Sequence, residues 1–255
     1  MLRVVYTPDR DIVGLVIRAA SSHDMVVLLQ NLENRGIKVV RASVYRDKRV
    51  HAFLVVDVTG KEGYEPDELL REVKSSGAKV KVVRVIPPLA RGYLVDKEYF
   101  PFHLGPFRAV ILPFPLYKAM IKDLQEKFGG SVGAFLYHSG YAMGKRAIKS
   151  HRKIFKAGVD ERRLAEMHLL LLFLTSGMGK PEITYLSPAR RRAKVKIEGN
   201  FECELFVGSG KPSSNFVRGL LAGVFAGIFG ADVKAIETKC IAAGDKYCEF
   251  EIEPV

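Results

Sequence analysis

Glu237-Thr238-Lys239-Cys240-Ile241-Ala242-Ala243-Gly244-Asp245-Lys246-Tyr247-Cys248-Glu249-Phe250 is the stretch that organises the C-terminal half of the chain. Strand-like runs flank the turn dipeptide Gly244-Asp245, so Val233–Ile241 and Tyr247–Ile252 read as a hairpin. Cys240 and Cys248 flank that one turn, so their side chains can converge, and Glu237 lies three residues before Cys240. Two alternatives are open. Thiols are often buried as small hydrophobes. Thiolates and carboxylates are also zinc ligands, of which this hairpin would supply three. A regular strand puts Glu237 and Cys240 on opposite faces. Zinc ligation by both therefore requires a bulge or bend between them.

Upstream of the hairpin, Leu116–Phe128, Val132–Met143, Arg162–Leu174 and Phe216–Phe229 read as helices. Ile183–Leu186, Ala193–Glu198 and Phe201–Val207 read as strands. Helices and antiparallel strands are segregated, which is an α+β arrangement. Gly219, Gly223 and Gly227 form one stripe along the last helix. Each costs about 1 kcal/mol relative to alanine in a helix. Either another backbone approaches closely there, by packing onto the sheet, or the missing side chains leave room for a ligand between helix and sheet. Phe135, Tyr137, His138, Tyr141 and Met143 form an apolar stripe of either core or pocket-lining residues. His138 and His168 are candidate polar contacts to a ligand.

The N-terminal part alternates strand and helix. Val13–Arg18 is a strand-like run, Ser22 an N-cap, and Met25, Val26, Leu28, Leu29 and Leu32 give a helical face ended by Gly36. Ile37–Tyr45 and Val50–Val58 read as a hairpin around Arg46-Asp47-Lys48-Arg49. A helix opens near Pro66 and closes at Gly77, and Val80–Ile86 is the last strand. The order is β-α-β-β-α-β, the split βαβ of ferredoxin-like domains. Pro87-Pro88 favours extended backbone. The expected domains are therefore 1–86 and 105–255, with 87–104 as a linker rich in Pro, Phe and Tyr.

The chain has 255 residues, with 40 Lys+Arg against 28 Asp+Glu for a net charge of +12, and 48% of it is hydrophobic, enough for a large core. Three cysteines exclude a disulfide scaffold. Met1–Arg10 has no apolar leader segment, and with the few cysteines this leads to the expectation of a cytoplasmic protein. Leu164–Leu174 is too short for a membrane span and holds Glu166 and His168, while Phe216–Ala231 contains Arg218, so no transmembrane segment is expected. The basic segments Lys145–Arg163 and Arg190–Lys196 read as solvated faces, with phosphate or anionic-lipid contact as the alternative. No helix-turn-helix or reader motif accompanies them, so nucleic acid is not an expected partner. No P-loop, nucleophile elbow or dinucleotide fingerprint is present, and no catalytic residue is assigned.

Two resemblances sharpen these readings. Asn34-Arg35-Gly36-Ile37-Lys38-Val39 and Phe53-Leu54-Val55-Val56-Asp57-Val58 resemble passages of ACT domains, which often bind amino acids and dimerise through their sheets. The first loop, Ala19-Ala20-Ser21-Ser22-His23-Asp24, lacks that family's glycine turn, which favours a structural or homodimer-forming role. Residues Gly105–Val255 are similar to the 4-vinyl reductase domain family. The pieces that carry the similarity are Leu104-Gly105-Pro106-Phe107-Arg108 with an apolar strand after it, the helix Leu136–Gly144, Asn200-Phe201-Glu202-Cys203-Glu204, the glycine-rich helix and the ending Glu237-x-x-Cys240-x-x-x-Gly244-Asp245-x-x-Cys248-x-Phe250.

That family includes sensor domains of phenol-responsive activators, a protein of bacteriochlorophyll synthesis and archaeal hydrocarbon-binding proteins. Its fold is similar to vesicle-tethering TRAPP subunits. The resemblance implies zinc held by Glu237, Cys240 and Cys248. It also implies a fourth ligand, a cysteine in the sensors, at the position of Ser214. Serine is a poor zinc ligand, so the metal is absent, or has an open position, or takes Cys203 as its fourth ligand. It further implies a small apolar or aromatic ligand near Phe135, His138, Tyr141, His168, Gly223 and Gly227. The expected function is non-enzymatic ligand binding or sensing beside a zinc-type site. The alternatives are an accessory protein or reductase in tetrapyrrole metabolism, or an interaction scaffold.

Overall fold

The computed structural model describes residues 4–46, 48–61, 66–97, 100–151 and 160–255. The chain divides into two compact units, meeting in sequence between Ile111 and Leu112.

The first unit contains β1 (Val4–Tyr6), β2 (Ile12–Ala19), α1 (Ser22–Asn34), β3 (Lys38–Arg46), β4 (Val50–Asp57), α2 (Pro66–Lys74), β5 (Val80–Ile86), β6 (Tyr93–Val95), β7 (His103–Leu104) and β8 (Phe107–Arg108). The order β3-β4-β2-β5 is antiparallel throughout, the sheet of a split βαβ unit. Ser21, one residue earlier than expected, caps α1 by accepting the Asp24 N–H on its hydroxyl at 3.1 Å. Gly36 takes φ +73° just past the helix, the left-handed turn that glycine adopts without strain. Met25, Leu28 and Leu32 bury against Leu15, Ile17, Leu54 and Val56.

The other face of this sheet is covered too. Leu94, fully buried, joins Val5, Ile12, Phe53, Val55 and Ile86 in a second core. β6 pairs with β1, with Val4 opposite Val95. Gly14 eases the close packing, because a Cβ there would lie 3.1 Å from both Ile86 and Leu94. Asp96, nearly inaccessible, accepts Arg84 Nη2 at 2.6 and 2.7 Å. Leu94 and Asp96 thus pack within the first unit. The apolar stretch Ala109–Leu112, expected as a strand, has none, and Val110 is 90% exposed.

The second unit contains α3 (Phe114–Phe128), α4 (Ser131–His151), α5 (Glu161–Leu169), β9 (Lys180–Ser187), β10 (Arg192–Glu198), α6 (Phe201–Glu204), α7 (Asn215–Phe229), β11 (Val233–Lys239) and β12 (Cys248–Pro254). The helix expected over Arg162–Leu174 closes with a π-helical turn at Leu170–Leu174, in which Thr175 N–H donates to Leu170. The antiparallel sheet runs β11-β12-β10-β9. Phe201–Val207, expected as a strand, starts instead with a helical turn. Asn200 caps it by accepting the Glu202 N–H at 3.2 Å.

The glycine stripe of α7 serves helix packing. A Cβ on Gly219 would lie 2.8 Å from the Tyr137 carbonyl carbon, and one on Gly223 2.9 Å from that of Tyr141. Reciprocally, a Cβ on Gly140 would lie 2.8 Å from Leu220 N, and one on Gly144 2.7 Å from Val224 N. The two backbones are in direct contact, with α4 rather than the sheet against the stripe. No described helix is long and apolar enough to cross a membrane.

In the second basic segment, Arg192 and Lys194 pair with Glu253 and Glu251. Lys196 pairs with Glu182 and Glu198. These residues form a mixed-charge surface. Of Lys145–Arg163, residues 152–159 lie outside the described ones.

Alanine at Gly219 gains about 1 kcal/mol of helix propensity but forces two backbones apart. Gly219→Ala is expected to lose about 3 kcal/mol of stability net, measured by denaturant unfolding. Gly230→Ala, with no neighbour within 4 Å of its Cβ position but φ +66°, should cost only about 1 kcal/mol.

Candidate metal centre

Four stretches of chain converge on one buried point. Cys203 comes from α6, Glu237 from β11, Cys240 from just beyond β11 and Cys248 from the start of β12. One ligand atom from each lies within 4.8 Å of all the others. All three cysteines are fully buried and free.

The bulge that the sequence requires is present. Glu237 pairs with Phe250 and Lys239 with Glu249, a register shift at Thr238. It turns Cys240 to the face that carries Glu237. Asp245, in the turn, accepts the Cys240 N–H at 2.8 Å and so holds the hairpin end in shape.

Cys203 arrives by a different route from the one expected. On a strand it would face away from Glu202. In the helical turn both are buried, and they divide two tasks. The Glu202 carboxylate accepts the Phe216 and Val217 N–H groups, each at 2.8 Å, at the open N-terminus of α7. Burial raises its pKa to about 7, against the lowering pull of those N–H groups. Glu202 thereby docks α6 on α7 and leaves Cys203 beside Cys240, with the two sulfurs 3.1 Å apart.

Ser214 also belongs to the cluster. It precedes α7 without capping it through its side chain. Its hydroxyl donates to Glu237 Oε1 at 2.8 Å and touches Cys203 Sγ at 2.8 Å. Its N–H donates to Glu237 Oε2 at 3.1 Å. Asn200 Nδ2 donates to the Ser214 hydroxyl at 2.7 Å. Serine therefore stands where it can orient the carboxylate, while Cys203 brings the fourth strong donor. Asn200, Glu202 and Asp245 support the site without being among its expected residues. Their signals were a helix-capping residue type, a carboxylate next to a buried cysteine and a turn residue.

The thiols differ in acidity. A hydrogen bond to Cys248 and burial push the Cys203 thiol up, and the same hydrogen bond pulls Cys248 down. Burial pushes Cys240 up to about 11. Cys248 is thus the first thiolate of the set. A tetrahedral zinc site has Zn–S bonds of about 2.3 Å, which sets sulfur atoms about 3.8 Å apart. Three sulfurs and one carboxylate oxygen at the observed spacing fit a metal ion of that kind after small side-chain adjustments.

The expected ligand-lining residues differ in their surroundings. Phe135 and His138 are exposed on α4. Tyr141 donates its hydroxyl to Asp232 at 2.7 Å, and burial with that bond raises its pKa to about 12. Gly223 faces the Tyr141 carbonyl, and Gly227 faces Ile148. His168 is fully buried and meets His151 through their Nδ1 atoms at 2.8 Å, the rings stacked with centroids 5.0 Å apart. One imidazole must donate there and the other accept.

Residues 193–254 match the V4R domain, a span that includes all four donors. An uncharacterised protein of Methanocaldococcus jannaschii is 36% identical over 62 residues, which are 24% of this chain. The match covers 38% of that relative's length. Among solved structures, the phenol-responsive sensory domain of the transcription activator PoxR, bound to phenol, superimposes with a TM-score of 0.54. It is 19% identical, over 60% of this chain and 79% of that one, a likeness of fold. A vinyl-4-reductase family protein from Methanocaldococcus jannaschii gives a TM-score of 0.38 at 23% identity, over 58% of this chain and 84% of that one.

Two outcomes follow from this geometry. Glu202→Ala strips a buried acceptor from two N–H donors and should cost about 3 kcal/mol in chemical unfolding, with Glu202→Gln recovering part. Burial lowers the His151 pKa. A lowered histidine favours the fold while neutral, so that stability is present above the unfolded value of about 6.5 and lost as pH falls below it. The melting temperature of the wild-type chain should drop more steeply than that of His151→Leu between about pH 7 and 5.

Proposed function

We propose that the second unit is a ligand-binding or sensing module whose architecture is held by one zinc ion, and that it performs no chemical turnover. The convergence of Cys203, Glu237, Cys240 and Cys248 within 4.8 Å carries this reading. Four protein donors close a tetrahedral coordination sphere, as in structural zinc sites, whereas catalytic zinc keeps a position for water. When bound, zinc would hold Cys203 and Cys240, the two thiols that are pushed up, as thiolates and join α6 to the β11–β12 hairpin. Ser214 would orient Glu237 from outside the coordination sphere.

A small apolar or aromatic ligand is the proposed effector. The fold likeness to a phenol sensory domain supports it. The glycine stripe of α7 is closed by α4, so that effector would sit elsewhere in the unit.

The chain purified without chelators should carry about one zinc per molecule by elemental analysis. Cys240→Ser and Cys203→Ser should each lower the zinc content and the melting temperature, while Ser214→Ala should keep the zinc. Metal-free protein from a zinc-supplemented preparation would overturn the zinc assignment. Zinc retained in Cys203→Ser but lost in Ser214→Ala would overturn the choice of fourth ligand. For the effector, phenol serves as the probe. A saturable rise in melting temperature supports a binding module, and no shift with phenol or larger apolar phenols speaks against it.

A further inference from the structure

We propose that the first unit binds a small polyanion, a ligand bearing two or more phosphate-type charges, where the C-terminal end of β2, the β3–β4 turn and the start of β5 meet. A cavity of about 620 Å³ opens at this place. Its charged lining is Arg18, Lys48, Arg49, Lys79 and Lys81, and the remaining lining residues are alanines and a valine. Among the described residues no carboxylate lines it.

The strand register makes this arrangement more than a basic surface. Arg18 is the cross-strand partner of Lys81. Like charges directly opposite in a sheet destabilise it. On β10 and β12 the same kind of position is neutral in sum, because Lys194 lies opposite Glu251. The nearby carboxylate, Asp24, does not neutralise the cavity through the Lys79 ammonium. It accepts the Lys79 main-chain N–H at 2.9 Å and the Ser21 hydroxyl at 2.5 Å, so it serves the start of α1.

A bound anion would be a counter-charge for Arg18 and Lys81. A concave positive wall focuses the field and concentrates anions. Guanidinium forks and ammonium groups match the oxygens of phosphate. The volume accommodates a di- or triphosphate with an organic body attached. None of this depends on the metal centre, all of whose ligands lie in the other unit.

The test uses the full chain at low ionic strength, with inorganic tripolyphosphate as the probe in titration calorimetry and thermal unfolding. The wild type should bind saturably and gain melting temperature. Arg18→Ser/Lys81→Ser should bind at least about tenfold more weakly. Without anion, relief of repulsion should let this double variant melt no lower than the wild type, which also shows that it is folded. Arg192→Ser, in the other unit, should bind as the wild type does. No saturable binding up to millimolar probe, or equal affinity in wild type and double variant, overturns the proposal. A single-stranded RNA oligonucleotide that binds about tenfold more tightly than tripolyphosphate, and loses that affinity in the double variant, overturns the small-ligand class in favour of nucleic acid.

Discussion

The second unit depends on bringing four strong donors, from segments up to 45 residues apart, into one buried spot without leaving a polar atom stranded. Each neighbouring feature answers part of that demand. The bulge at Thr238 reverses the facing of Cys240. Asp245 holds its main-chain N–H. Glu202 fastens α6 to the first N–H groups of α7. Asn200 and Ser214 complete the hydrogen bonds around Glu237. A buried polar set is costly when half satisfied and specifies a unique arrangement when fully satisfied.

Much of this was legible in residue order because hairpins are local. Two cysteines around Gly244-Asp245 must lie near each other, and the parity of Glu237 and Cys240 forces the bulge. The resemblance implies a fourth ligand, and Cys203 is the one cysteine left over for it. Its backbone could not be read. Phe201–Val207 is apolar enough for a strand, and what decides otherwise is the non-local capture of α7 by Glu202. That contact spans 14 residues and leaves no periodic trace.

The same distinction explains the other departures. The order of the split βαβ unit was readable from alternating patterns, yet β1 and β6 were not. Each has three residues, and each is defined by its partner at the far end of the unit. The glycine stripe showed that something comes close to α7, but not that it is α4. Only the reciprocal glycines Gly140 and Gly144 identify the partner, and they become meaningful once both helices exist. The histidine pair likewise joins residues 17 apart across two helices.

The pairing of β1 with β6 also bears on the order in which the chain is made. Val4 has its partner at Val95, so β1 leaves the ribosome long before anything exists for it to pair with. The sheet of β2 to β5 can form first from nearer neighbours, since contacts of short sequence separation close faster. Until residues 93–95 emerge, the face carrying Ile12, Phe53, Val55 and Ile86 stays uncovered. The β1–β6 pair is then a clasp between strands far apart in the first unit, with β7 and β8 still to follow it in the chain.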